Sequence, residues 1–294
     1  MRRGDTRIVL GLYRSSHARE FLEAALNLGV RSLDTGYNYL GFTSHRTLAC
    51  IANDLLSEFT VSTKVGFFPG FRRTEHSLDP GRLSDAIEKS VEDLADTPEV
   101  VFLHNPERSL IGLSPDAGRD RLTAACVVLD EAVTTGLCRS WGIASWDTRS
   151  LLRVLDRFST DMIPIPGALM MRVGLLAESN VLDASEQICV RFGLGVDTRW
   201  GMNPFGGSTT NPIWDTVNTR IFLTPGQECL RVQAAFRVAY DLPHVGRIAV
   251  STSSVDHLRD LINATALDID EAIITRYRQL LRTKSVTNGD RRLA

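Results

Sequence analysis

Hydrophobic and polar positions along the chain follow two alternating periods. Short runs of apolar, often β-branched residues are separated by longer stretches in which apolar residues return every three or four positions. The first run, Ile8-Val-Leu-Gly-Leu-Tyr13, reads as a buried strand. A helix follows with Phe21, Leu22, Ala25 and Leu26 on one face, Ser15-Ser16 as its cap and Gly29 as its stop. The pattern then repeats. Further strands are predicted over Val30–Asp34, Phe59–Val65, Val100–His104, Ser140–Ser145, Met162–Met171, Gly195–Met202 and Gly246–Ser251. The helices between them carry Leu48 to Leu55 behind a Ser44 cap, then Leu83 to Leu94, Leu122 to Thr135, Leu151 to Phe158, Val181 to Phe192 and Cys229 to Tyr240. Asp256 to Ala264 and Asp270 to Leu281 close the chain as helices. Pro164, Pro166 and Gly167 make the sixth strand irregular. Long loops are predicted over Gly66–Pro80, Asn105–Gly118 and Asn203–Thr224, and residues 283–294 as a polar, frayed tail.

Eight strand–helix alternations with no shift in composition predict an α/β fold, a (β/α)8 TIM barrel, as one domain over residues 1–294. A doubly wound sheet would want a glycine-rich phosphate loop after an early strand, and the chain has neither G-x-G-x-x-G nor a P-loop.

Composition narrows the partners. The chain is 43% hydrophobic and 23% charged, with a net charge of −2, which gives no electrostatic case for nucleic acid or an anionic membrane. No apolar run approaches the roughly 20 residues of a membrane span, and the first residues lack a secretory apolar core. A cytoplasmic protein is therefore expected. The five cysteines form no C-x-x-C and are expected to be buried free thiols. No Cys/His cluster has zinc spacing, so no metal is expected.

Barrel enzymes mount their chemistry at the C-terminal ends of the strands. The second strand ends in Asp34, with Tyr39 on the loop above it. The third carries Lys64 and the fourth ends in His104. Each alone could be a turn cap, a rim aromatic, an edge charge or a core histidine. Together, at successive strand ends, they make a coherent set. A buried lysine needs a partner, and Asp34 is the neighbouring carboxylate. A cation within about 4–6 Å favours phenolate and lowers a tyrosine's pKa. Tyr39 could then donate a proton to a carbonyl oxygen that His104 polarises.

The same residues carry a family resemblance. Asp34-Thr35-Gly36 with Tyr39, then Ser62-Thr-Lys-Val-Gly66, then Leu103-His-Asn-Pro106, resemble the aldo-keto reductase pattern D-T-A-x-x-Y-G, T-K and H-x-P. Gly136 with Arg139, Gly142-Ile-Ala-Ser-Trp146, Asn203-Pro-Phe-Gly-Gly207 and the Ser251–Leu258 segment are similar to later family motifs. The resemblance implies a monomer or small homo-oligomer that reduces an aldehyde or ketone, or runs the reverse, with NADPH, or less often NADH, as its cofactor. It implies Tyr39 as proton donor, Asp34 and Lys64 as its tuning pair, and His104 as the substrate-orienting residue. It assigns Leu12, Tyr13, Ser145, Trp200, Asn203, Phe205, Ser251, Thr252, Ser253 and His257 to cofactor binding.

The departures are specific. Leu40 is inserted between Tyr39 and Gly41, and His45 replaces a glutamate. Ala144-Ser145 replaces Ser-Asn, and the sixth-strand glutamine is missing. Met202 replaces an aromatic that Trp200 could substitute. Ser253 stands where a cation for the 2′-phosphate is usual, with Arg247, His257 or Arg259 as compensators. These leave open a cofactor-binding barrel with little turnover, or a redox-neutral enzyme. Phe67, Phe68, Trp200, Phe205, Trp214 and Phe222 suit either a substrate wall or loop packing. Arg72, Arg73 and Arg108 suit either an anionic substrate or solvent.

Overall fold

A computed structural model describes residues 7–156 and 163–290. Eight parallel strands close into a barrel. They are Ile8–Gly11, Ser32–Asp34, Thr60–Val65, Val100–His104, Ser140–Ser145, Ala168–Arg172, Arg199–Met202 and Arg247–Val250. Each pairs with the next, and the eighth pairs back onto the first through Ile8↔Ile248. This is the (β/α)8 barrel that the alternation predicted.

Side-chain alternation divides the core in two. Val9, Phe102, Ala144, Met170, Trp200 and Ala249 fill the interior as a closed apolar plug. Their chain neighbours Leu10, Leu103, Ile143, Leu169 and Ile248 point outward and pack under the helices in one continuous cluster. The plug matters for the site, because it sets a dry floor beneath the polar residues at the mouth.

Several elements differ from expectation. The first strand stops at Gly11 and the sixth begins only at Ala168, beyond Pro164, Pro166 and Gly167. The expected helix end at Phe158 and strand start at Met162 lie outside the described residues. The Gly66–Pro80 loop contains a small hairpin, Phe67–Phe68 with Glu75–His76. A helical turn, Glu107–Leu110, follows the fourth strand, and the next helix starts early, at Pro115, where Ser114 accepts from the Ala117 amide. The Asn203–Thr224 loop holds the turns Ile213–Thr216 and Thr219–Phe222. The last helix runs on to Asp290, into the segment expected to fray. Ser44 and Ser15 do not cap helices. Ser44 Oγ instead bridges His17 and Thr35, at 2.7 Å each. Ser15 Oγ donates to the Gly11 carbonyl and accepts from the Thr252 amide. Cys126, Cys138 and Cys189 are buried, but Cys50 is exposed and Cys229 partly so. No helix among the described residues is long and apolar enough to cross a membrane.

Candidate active site

Register brings the second and third strands level at Asp34↔Ser62, one pleat below Lys64. Lys64 and Asp34 form a buried ion pair, exposed by only 3% and 4%. Its remaining polar atoms are satisfied. Lys64 Nζ donates to the Thr35 carbonyl at 2.9 Å, and Ser62 Oγ donates to Asp34 Oδ1 at 2.9 Å. Burial works to discharge the lysine, but the Asp34 carboxylate and the Tyr39 phenol outweigh it and hold the ammonium's pKa above its ordinary value.

Tyr39 lies over this pair, with Lys64 Nζ 5.0 Å from its ring centroid. Burial pushes the phenol's pKa upward, Lys64 pulls it down, and Asp34 adds to the rise. The net direction is upward, opposite to the lowering expected from the lysine alone. The phenol is thus held protonated at neutral pH, as a donor must be.

The inserted Leu40 is absorbed by an unusual turn. Leu40, Gly41 and Phe42 all have left-handed φ, at 50°, 62° and 69°. Left-handed backbone costs roughly 1–2 kcal/mol per non-glycine residue. Thr43 fastens the turn, its hydroxyl donating to the Leu40 carbonyl at 2.7 Å. Leu40 faces solvent at 54% exposure, while Tyr39 stays buried at 8%. The insertion therefore bulges outward and leaves the phenol over Lys64. Gly36 completes the seat: a Cβ there would fall 2.9 Å from Tyr39 Cε1.

His104 meets Tyr39 edge-on at 6.2 Å between centroids and Phe67 at 4.7 Å. Its pKa lies well below 6.5, because of burial first and then the charges of Lys64, His76 and Arg108. Its Nδ1 is buried without a hydrogen-bond partner. An unsatisfied acceptor is the cheaper choice there, which assigns the proton to Nε2. His76 buttresses the strand end, its Nε2 donating to the His104 carbonyl at 2.8 Å while Ser109 sits 2.8 Å from Nδ1.

A cleft of about 600 Å³ opens from Tyr39, Lys64 and Asp34 across the mouth, and His104, packed behind Tyr39 and Phe67, is not among the residues that line it. Asp34, Tyr39, Lys64, Tyr13, Asn203, Phe205, Ser251, Thr252 and His257 all line it. Four residues expected to bind cofactor do not line the cleft. Leu12 is 1% exposed in the outer core, because alternation from Gly11 turns it outward. Ser145 is likewise turned away, and its hydroxyl donates to Glu107 Oε2 at 3.0 Å. Trp200 shares a strand face with Met202 but lies one layer deeper, against Phe102 at 5.2 Å and with the Arg247 guanidinium 5.1 Å from its ring. Ser253 Oγ accepts from the Ser16 amide at 2.8 Å and ties two loops together.

Of the three compensating cations, Arg247 sits with Trp200 at the far end of the barrel, and Arg259 pairs with Asp256. His257 alone lines the cleft. Sequence reasoning missed Arg14, which lines the cleft and donates across it to the Gly207 carbonyl at 3.4 Å. Its position directly after Tyr13 was the available signal. Glu107 was also missed. It is buried and accepts from the amides of Trp146 and Asp147, fixing the loop after the fifth strand. Burial raises its pKa against those bonds. Among the aromatics, Phe205 lines the cleft and Phe67 packs on His104, whereas Phe222 belongs to a core cluster. Among the described residues no group of His, Cys, Asp and Glu side chains could hold a metal.

A closed parallel barrel with a buried carboxylate–ammonium pair under a mouth phenol defines a class of barrel proteins with acid–base residues at the strand ends. The aldo/keto reductase family model matches residues 7–170, and the chain belongs to that family. Among solved structures it is similar to the aldo-keto reductase AKR11C1 from Bacillus halodurans in its holo form. The TM-score is 0.70 at 18% identity, covering 94% of this chain and 91% of that one. It is also similar to an aldo-keto reductase from Klebsiella pneumoniae in complex with NADPH. Here the TM-score is 0.65 at 15% identity, covering 94% of this chain and 90% of that one. No curated protein matches the chain.

Proposed function

We propose that the protein is an oxidoreductase that reduces an aldehyde or ketone with NADPH, or runs the reverse, with Tyr39 as the proton donor. The observation that carries this reading is the phenol of Tyr39, kept protonated above the Lys64–Asp34 pair at the inner end of the cleft. Solved relatives in the family are described in complex with NADPH or NADP, and this chain's cleft has donors suited to such a group. Arg14 supplies a positive charge to its wall. Ser251, Thr252 and His257 line it as well, beside the start of the helix Val255–Ala264, which Ser254 caps and whose amides favour an anion.

When bound, the cofactor supplies the hydride. The protein supplies the acid and the orientation. His104, neutral and protonated on Nε2, donates to the substrate carbonyl oxygen and holds it beside Tyr39. The Tyr39 O–H passes its proton to that oxygen as the carbon is reduced, so C=O becomes CH–OH. The phenolate left behind faces the Lys64 ammonium, whose charge Asp34 holds in place. The plug beneath keeps this exchange away from water.

The reading is tested by titrating intrinsic fluorescence with NADPH and NADH, then following 340 nm absorbance over a panel of aldehydes and ketones. Saturable binding with carbonyl-dependent loss of absorbance is expected. Binding of neither nucleotide would overturn it. A second reading, nucleotide binding with little turnover, has one observation in its favour: Ser145 is committed to Glu107, and Met170 and Met202 line the cleft nearby. Tight binding with no turnover on the panel would select it.

A further inference from the structure

We infer that Glu107 is a positioning residue of the cleft: its carboxylate holds the main chain at Trp146, so that the indole forms part of the wall against the bound nucleotide. The inference rests on the NADPH reading above. The fourth strand ends at His104, and Asn105 turns the chain with a left-handed φ of 51°. The Asn105 amide donates to the Ala144 carbonyl at 2.6 Å, near the end of the fifth strand. The helical turn Glu107–Leu110 therefore begins against that strand end, and its first side chain is buried there.

Both carboxylate oxygens of Glu107 are used. Oε1 accepts from the Trp146 amide at 2.7 Å and from the Asp147 amide at 3.0 Å. Oε2 accepts from the Ser145 hydroxyl at 3.0 Å. Three consecutive residues thus end on one carboxylate, and all three donors are neutral. Trp146 lines the cleft beside Met170 and Met202. Its ring is 46% exposed, too open for core packing to hold it. Its support is polar instead. The Arg172 guanidinium stands 5.5 Å from the ring centroid and 3.7 Å from Glu178. Glu178 pairs with Arg149 at 3.1 Å, and Arg149 with Asp147 at 2.6 Å. The outer ion pairs are at least partly exposed and contribute little. Glu107 is the buried anchor, and its bonds to neutral donors need only an acceptor geometry, not a charge.

That distinction sets the test. Glu107→Gln keeps an oxygen for the two amides and an N–H for the Ser145 oxygen. Glu107→Asp keeps the charge but draws the oxygens back by one C–C bond, about 1.5 Å. NADPH affinity is measured by calorimetry for both variants, in the wild-type chain and in Trp146→Ala. Glu107→Asp is expected to weaken NADPH about 10-fold, and Glu107→Gln to stay within about threefold. The reverse order would show that the charge matters and would overturn the assignment. In Trp146→Ala the Glu107→Asp effect should shrink to about twofold or less. An undiminished effect there would mean that Glu107 acts on the cleft by another route, and would also overturn it. A readout without nucleotide separates this from the reductase reading. The emission of Trp146, taken as the difference from Trp146→Phe, should shift to the red in Glu107→Asp and not in Glu107→Gln. Unchanged emission in Glu107→Asp overturns the positioning role. Failure of the wild-type protein to bind NADPH overturns the reductase reading, and with it the wall against a nucleotide, whatever the emission shows.

Discussion

Replacing Gly36 with alanine should slow the reaction through Tyr39 without touching any ionisable group. The added Cβ would lie 2.9 Å from Tyr39 Cε1, 3.1 Å from Cδ1 and 3.2 Å from Cζ. Carbon–carbon contacts relax at about 3.5–4.0 Å, so the ring must retreat by roughly half an ångström or more. It has little freedom to do so. The Tyr13 ring stands 5.2 Å away on one side and His104 6.2 Å away on another, between centroids. The Tyr39 amide is tied to the Gly36 carbonyl at 2.9 Å, so the two residues cannot separate easily. Overpacking of this kind costs about 1–3 kcal/mol of stability. A displacement of about 1 Å at a reacting group costs on the order of 100-fold in rate. Gly36→Ala should therefore lower kcat about 10–100-fold and the thermal midpoint by about 2–10 °C, with NADPH affinity nearly unchanged. The assay is steady-state NADPH oxidation alongside a thermal melt. Wild-type kcat and an unchanged melt would refute the claim that Gly36 seats the phenol.

Three other outcomes follow from the same geometry. Lys64→Met leaves Asp34 buried without its cation and should cost about 3–5 kcal/mol in chemical unfolding. Asp34→Asn in the same chain should recover most of the stability but none of the turnover, and a single variant as stable as wild type would contradict the pair's role. His45 accepts or donates at 2.7 Å to Thr63 Oγ1, and burial holds its pKa down at about 4 from an ordinary 6.5. A depressed histidine contributes stability that is full above pH 6.5 and is lost as the pH falls towards 4. The loss is about 3 kcal/mol, and His45→Gln should flatten that acid limb in urea titrations. Parallel limbs for the two proteins would argue against it. Leu40→Gly should raise the unfolding free energy by about 1 kcal/mol, because glycine accepts the left-handed φ at no steric cost. A loss of stability would mean that the turn is not strained there.

The barrel was legible because its strands are short β-branched or apolar runs and its helices have clean apolar faces. Asp34, Lys64 and His104 stood out as ionisable groups inside those runs. The cofactor side was less legible, for reasons of parity and depth. Leu12 and Ser145 are one residue off the inward face, so alternation turns them into the outer core or towards Glu107. Trp200 has the right parity, but two residues of strand, about 6–7 Å, set it below the mouth. Arg14 sits in the loop beyond the first strand, which ends at Gly11, where sequence alone gives no direction to a long side chain. The left-handed turn at Leu40 was visible only as an insertion. Its outward bulge depends on backbone angles that no local residue preference favours, since leucine and phenylalanine both resist them.

The central claim is that Tyr39 is the proton donor. The most direct measurement is turnover of Tyr39→Phe on a carbonyl substrate that the wild-type protein reduces, with NADPH affinity determined on the same sample. The account expects the variant to fold, bind NADPH within a few-fold of wild type, and lose about 100- to 10,000-fold in kcat. Wild-type turnover by Tyr39→Phe would contradict it.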